Sequence, residues 1–365
     1  MQTSSSAPAA PTLSPTKPHF HALDGLRGVA ALAVVVFHFM EWVVPDYRQN
    51  FVGQGFLAVD FFFCLSGFVM GYAYDDRLPR MGKKSFFLAR LIRLHPLVVL
   101  GSVLGLVEYL FNPFASPEHL DAGWLTLLFL GSLLLIPLPL MEARFYNLFS
   151  FNAPAWSLFW EYVANVVYAV VLHKLPRRAL LVLTLVAAVV LTWVSYRAGN
   201  LIGGWSGGTF WDGGARLAYS FSAGLLLYRS RWIIPNRLGF PGLAVLLSLA
   251  FLMPYVSWNW LAEALVVIFY FPLLVSLGAG TRLAPSMQQV CMWAGHLSYP
   301  LYMTHYAGIW LFAQYYTTHP PDSRSLTLMI LGGILFLLGV AYVAMHFYDL
   351  PVRRYLAARW KQKRV

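Results

Sequence analysis

The stretch Leu23-Asp24-Gly25-Leu26-Arg27-Gly28-Val29-Ala30-Ala31-Leu32-Ala33-Val34-Val35-Val36-Phe37-His38-Phe39-Met40 decides what kind of protein this is. From Gly28 to Met40 it carries no charged side chain, and His38 is its one strongly polar residue. Continued to Val43, the run reaches the roughly 20 residues that an α-helix needs to cross a hydrocarbon core about 30 Å thick. The rest of the chain agrees. It has 365 residues, of which 59% are hydrophobic and 11% charged, and its mean hydropathy is +0.61. A soluble domain carries about 25% charged residues, so one water-soluble core cannot take up this much apolar surface. Disorder, a coiled coil and a disulfide-stapled mini-fold are excluded by the same composition. The fold class is all-α, a polytopic integral membrane helical bundle.

Working outward, spans are expected at 24–43, 55–74, 94–111, 154–172, 179–196, 214–228, 240–256, 259–277, 293–313 and 326–347, about ten in all, with 214–228 the shortest. Residues 124–140 are apolar too, but Pro137 and Pro139 break their end, and charge decides how they are read. If 124–140 dips in and returns, or lies at the interface, 21 of the 26 Lys and Arg fall on one side. If it crossed, that asymmetry would largely collapse. Cytoplasmic loops carry the excess of Lys and Arg, so 124–140 is read as non-spanning and both termini as cytoplasmic. The net charge of +11 then follows from topology, with no need for nucleic acid. Residues 1–20, rich in Ala, Pro, Ser and Thr, read as a disordered cytoplasmic tail, residues 21–350 as the transmembrane domain, and residues 351–365 as a basic cytoplasmic tail. Cys64 and Cys291 sit in apolar runs and read as small buried hydrophobes. There is no Cys/His cluster for a metal, and no internal repeat of the kind common in transporters. Oligomeric state is open at this level.

Ionisable side chains inside a bilayer are expensive, so each is a functional candidate. His38 lies 11 residues beyond Arg27, about 16 Å along a helix. It reads either as a packed histidine or as a general base, since imidazole alone titrates near neutrality unaided; no local partner is evident for it. Arg90 and Arg93, three apart on one helical face, read either as positive-inside anchors or, with Lys83 and Lys84, as a phosphate clamp. Glu161 reads either as a neutral structural hydrogen-bonder or as the group that orients an imidazole or a sugar hydroxyl. His305 falls near mid-membrane, five residues after Pro300, which should kink its helix. Asp60 and Glu108 lie near span ends, Glu263 has no evident partner, and the Gly-rich segment 203–212 reads as a flexible loop in preference to a sugar-stacking one.

Several of these blocks look familiar together. Residues 23–38 resemble the opening helix of the membrane acyltransferase 3 family. So do Val59-Asp60-Phe61-Phe62-Phe63-Cys64-Leu65-Ser66-Gly67-Phe68, the pair Arg90 and Arg93, Trp156-Ser157-Leu158 through Glu161, Leu297-Ser298-Tyr299-Pro300-Leu301-Tyr302 with His305, and Tyr348-Asp349-Leu350-Pro351-Val352-Arg353-Arg354. The resemblance covers residues 21–357. It implies an acyl-CoA-dependent O-acyltransferase of about ten helices, commonly acetylating bacterial surface polysaccharides, with His38 central and Arg27, Arg90 and Arg93 functionally important. Asp349 stands where the family often has Glu, and no soluble domain is expected after the last span.

The expected roles follow. His38, Glu161 and Arg27 serve catalysis; Arg90, Arg93, Lys83 and Lys84 hold acetyl-CoA or another acyl-CoA; Asp24, Asp60, Ser66, Tyr299 and His305 contact substrate; no metal takes part. The acceptor is a carbohydrate or glycolipid hydroxyl, the setting a bacterial cytoplasmic (inner) membrane among its lipids. The competing classes are a transporter or exporter without acyl-transfer chemistry, which intramembrane ionisable residues also fit, and an accessory membrane subunit.

Overall fold

The structure, a computed structural model, describes residues 19–115 and 120–362. The expected tail 1–20 lies outside the described residues except for His19 and Phe20. In chain order the helices are α1 (His21–Val43), α2 (Ala58–Tyr74, entered through a 3-10 turn at Gly55–Leu57), the one-turn α3 (Leu78–Met81), α4 (Lys83–Phe111), α5 (Ala122–Leu134), α6 (Ala155–Val170), α7 (Arg177–Ala198), α8 (Phe210–Ser230), α9 (Gly239–Phe251), α10 (Asn259–Leu265), α11 (Phe271–Gly280), α12 (Pro285–Thr318), α13 (Ser323–Val343) and α14 (Leu350–Gln362). Single π-helical turns join α10 to α11 and α13 to α14. Among the described residues there is no β-strand, only isolated bridges between Asn147 and Ser206 and between Asn236 and Thr281.

Six helical stretches are long and apolar enough to cross a membrane: His21–Val43, Gly55–Tyr74, Lys83–Phe111, Arg177–Ala198, Asn259–Gly280 and Ser323–Trp360. The protein is an integral membrane helical bundle. α6, α8, α9 and α12 complete it, being shorter or more polar than those six. Contacts fix the directions. Gly25 and Gly28 abut Cys291 and Ala294, and Trp42 meets Trp310, so α1 and α12 run parallel. α4 runs with them, because Leu94 meets Tyr299 and Phe114 meets Tyr315. α2, α6 and α8 run parallel to one another and opposite to that set: Phe63 meets Trp156, Asp75 meets Tyr168, and Asp60 and Gly71 meet Arg216 and Tyr228.

α5 interrupts the alternation. Asp121 starts it, its carboxylate accepting from the N–H groups of Gly123 (2.8 Å) and Trp124 (3.1 Å); this is ordinary N-capping. Leu135, in the left-handed region at φ 55°, stops it, and Pro137 and Pro139 prevent its resumption. At 13 residues it is about 20 Å long, well under a hydrocarbon core. The chain then returns to the end it left, since Arg144 meets Glu108 and Phe151 meets Gly105. α9 also has 13 residues, yet it carries the chain from Phe240, beside Gly25, toward Asn259, which bonds Gln54 at the opposite end.

Two devices hold the middle. α2 and α8 touch backbone to backbone: a Cβ on Gly224 would stand 1.8 Å from the Cys64 carbonyl oxygen, and one on Gly67 2.0 Å from that of Phe221. Small residues permit such approach where water exclusion no longer drives association. Four arginines at the end away from the loop-borne lysines are paired: Arg216 with Asp60 (2.6 Å), Arg144 with Glu108 (2.6 Å), Arg197 with Asp212 (2.5 Å) and Arg48 with Asp46 (2.8 Å). Glu263, unexplained in sequence, accepts from the Leu201 N–H (2.5 Å) and from the Asn259 amide. Cys64 and Cys291 are free and buried. Of the expected basic tail 351–365, residues 351–362 lie in α14, which packs on α4.

Candidate active site

α1 brings two chemistries to opposite halves of the bundle. Near its start, Arg27 donates from Nε to the Ser298 hydroxyl (2.9 Å) and from Nη2 to the Gly295 carbonyl (2.7 Å). Asp24 lies 3.2 Å from the same guanidinium and 2.5 Å from His19. Arg93 stands within electrostatic range of Arg27, Arg90 and Arg353. It is solvent-exposed and makes no hydrogen bond or ion pair with any described residue. Arg90 differs. It is buried, and Nη2 donates to Glu161 at 2.8 Å; the Ser66 hydroxyl donates to the same carboxylate oxygen at 2.6 Å. Lys83 and Lys84 are exposed at the start of α4. Tyr299 donates to the Leu94 carbonyl at 2.5 Å.

Further along α1, His38 Nδ1 meets Glu41 Oε1 at 2.8 Å. A carboxylate accepts, so Nδ1 carries the proton and Nε2 the lone pair. This corrects the expectation that His38 lacks a local partner. The partner is three residues on, where helix geometry puts it on the same face, and that spacing was the signal to read. His305 lies beside His38, ring centroids 5.3 Å apart and planes 28° from parallel. Tyr306 closes the site at 5.3 Å from His38. Beyond it lie Trp310, Trp42 and Phe145, Trp42 being 5.3 Å from Trp310 and 6.1 Å from Phe145. Arg144, its guanidinium 3.9 Å from the Trp310 ring centroid, braces this aromatic wall.

Between these halves, one face of α2 stays partly exposed. α2 is the most enclosed of the long apolar helices. Between Ala58 and Gly71 every residue is buried except Phe62, Ser66 and Val69. Their spacing of four and three places them on one helical face. Ser66 meets Glu161 there, and Phe62 meets Tyr302 at 5.7 Å, which lies 6.0 Å from His305.

Three placements differ from expectation. Asp60 is fully enclosed and both its oxygens are taken by Arg216, which also donates to the carbonyls of Gly203 and Phe56; it fastens α2 to α8. Glu161 holds Arg90 and Ser66, and the carboxylate at the imidazole is Glu41. Arg27, a helical rise of about 16 Å from His38, stands within electrostatic range of Arg93 and away from the imidazole. His19, His21 and Asp24 bring one potential metal-ligand atom each within 4.8 Å of one another. The Arg27 guanidinium 3.2 Å from Asp24 opposes a cation there.

A protein-family model described as an acyltransferase domain, Acyl_transf_3, matches residues 20–346. "Protein 2 in picA locus" of Rhizobium radiobacter is 37% identical over 182 residues, 47% of this chain and 92% of that protein. Staphylococcus aureus proteins of strains COL and MSSA476, provisionally named O-acetyltransferases, are each 36% identical over 81 residues, 21% of this chain and 12% of their own length. No solved structure matches.

Proposed function

The chain belongs to the acyltransferase 3 family and is a membrane acyltransferase; from that premise we propose that it moves an acyl group, acetyl in the first instance, from acyl-CoA to a carbohydrate hydroxyl, with His38 as general base. The observation that carries this reading is the His38–Glu41 dyad at one end of the accessible face of Phe62, Ser66 and Val69, with the unpaired Arg93 guanidinium toward the other. The ten traversing segments are read as membrane crossings, α5 as a re-entrant element, and both termini as cytoplasmic, in a bacterial inner membrane.

The donor is a polyanion made in the cytoplasm. Arg93 meets its phosphates at the inner mouth, with Arg27 behind it and Lys83 and Lys84 at the solvent edge; a free guanidinium suits phosphate. Arg90 is committed to Glu161 and shapes the wall. The pantetheine arm, roughly 15–20 Å when extended by the chain dimensions that govern polypeptides, follows the α2 face to the imidazole. There Nε2 of His38 takes the proton of the acceptor hydroxyl, and the oxygen forms its bond to the thioester carbonyl carbon. Glu41 stabilises the imidazolium through Nδ1–H. As the C–S bond breaks, the imidazolium returns the proton to the leaving thiolate. The acceptor approaches from the aromatic side, past Trp42, Phe145 and Tyr306.

The test uses purified full-length protein with radiolabelled acetyl-CoA and envelope glycan from cells lacking it. Label should enter an alkali-labile ester, and His38→Ala should abolish its transfer while the protein still elutes as a folded species. Unchanged label transfer in that variant removes His38 from its role, and no CoA binding at all removes acyl-CoA as the donor.

A further inference from the structure

His305 is fully buried, and its Nδ1 lies 3.1 Å from the Leu301 carbonyl and 2.9 Å from that of Tyr302. Carbonyl oxygens only accept, so Nδ1 bears the proton and Nε2 is left as a lone-pair acceptor. That Nε2 has no hydrogen-bond partner among the described residues. A buried acceptor without a donor is costly, and such orphans persist where a ligand completes them. The neighbouring ring of His38, half-buried, holds the same tautomer, its Nδ1–H given to Glu41 and its Nε2 left to accept. Two near-parallel imidazoles 5.3 Å apart thus offer two acceptors and no donor. One hydroxyl satisfies only one of them.

Resting on the acyl-transfer reading above, we propose that His305 makes the site selective for an acceptor with two adjacent hydroxyls, a vicinal diol of the kind carried by pyranose rings. One hydroxyl gives its proton to His38 and attacks. Its neighbour donates to His305 Nε2, stays protonated throughout, and turns the attacking oxygen toward the thioester. His305 is a positioning and specificity residue: it forms and breaks no covalent bond.

The test compares trans-1,2-cyclohexanediol with cyclohexanol as acceptors of acetyl from acetyl-CoA, using the full chain in detergent. Sites built to hydrogen-bond a substrate hydroxyl reject analogues that lack it. The wild type should therefore favour the diol in kcat/KM by about 10- to 100-fold, beyond the twofold statistical advantage of its second hydroxyl. His305→Leu should collapse the ratio toward that twofold value. His305→Gln, which keeps an acceptor oxygen, should retain part of it and serves where His305→Leu fails to fold. Equal use of the two alcohols by the wild type, a wild-type ratio in His305→Leu, or acylation of neither alcohol overturns the proposal. Transfer that survives His38→Ala counts instead against the general-base reading.

Discussion

At the scale of single residues, the dyad and the arginines make separable predictions. Glu41→Gln keeps an oxygen for His38 Nδ1–H but loses the charge that stabilises the imidazolium. Its kcat should fall about 100- to 10,000-fold, the range seen when a base loses its orienting carboxylate, with the KM for acetyl-CoA unchanged; steady-state kinetics decide it. Arg90 and Arg93 look equivalent in sequence and should behave differently. Arg90→Gln strands the Glu161 carboxylate, both partners having side chains about one-tenth exposed, and breaking such a pair costs about 3–5 kcal/mol. Its thermal unfolding in detergent should shift down sharply. Arg93→Gln breaks no pair, so its unfolding should match wild type while the KM for acetyl-CoA rises about tenfold. His38 and the arginines were legible because ionisable groups in apolar runs are rare. Glu41 went unweighed, although its three-residue spacing from His38 puts it on the same helical face. The true tasks of Asp60 and Glu161 depend on Arg216 and Arg90, distant in the chain, and nothing in their own neighbourhoods announces them.

At the scale of elements, the α2–α8 contact is where a single methyl matters most. Gly224→Ala drives Cβ into the Cys64 backbone, which cannot swing aside as a flexible side chain would. Overpacking of this kind typically costs about 1–3 kcal/mol, and here it also splays the helix bearing Ser66 from the one bearing Arg216. Gly339→Ala on α13 meets nothing within 4 Å and should leave unfolding where it was. A thermal series on the two variants checks the contrast. Most apolar runs had already placed helices close to their observed bounds, because about 20 residues without charge have few alternatives in a bilayer; α4 and α12 begin well before the expected 94 and 293, at Lys83 and Pro285. α5 was legible as an exception through its prolines and, decisively, through the asymmetry of Lys and Arg. α8 was weakest for the converse reason: its Asp212 and Arg216 lower its apolarity, and only the folded bundle shows them paired with Arg197 and Asp60. The π turns at Val266–Tyr270 and Ala344–Asp349 left no mark that periodicity could show.

For the molecule as a whole, the net charge of +11 is unevenly spent. Four of the five arginines on the aromatic side, Arg48, Arg144, Arg197 and Arg216, are closed into ion pairs. The uncompensated charge therefore collects at the other end, around Arg93, Lys83 and Lys84. Exposed charges act through solvent over about 8 Å at physiological ionic strength and about 3 Å at 1 M. Raising salt should thus weaken capture of a polyanionic donor while leaving the buried dyad untouched. The KM for acetyl-CoA should climb steadily between 0.05 and 0.5 M KCl with kcat nearly constant, and Arg93→Gln should climb less steeply. The control is S-acetyl-N-acetylcysteamine, which keeps the thioester and the end of the pantetheine arm but has no phosphates. Its KM should start high and stay flat across the same range. If its slope matches that of acetyl-CoA, the basic end does not read the donor's phosphates, and Arg93 serves orientation in the membrane alone.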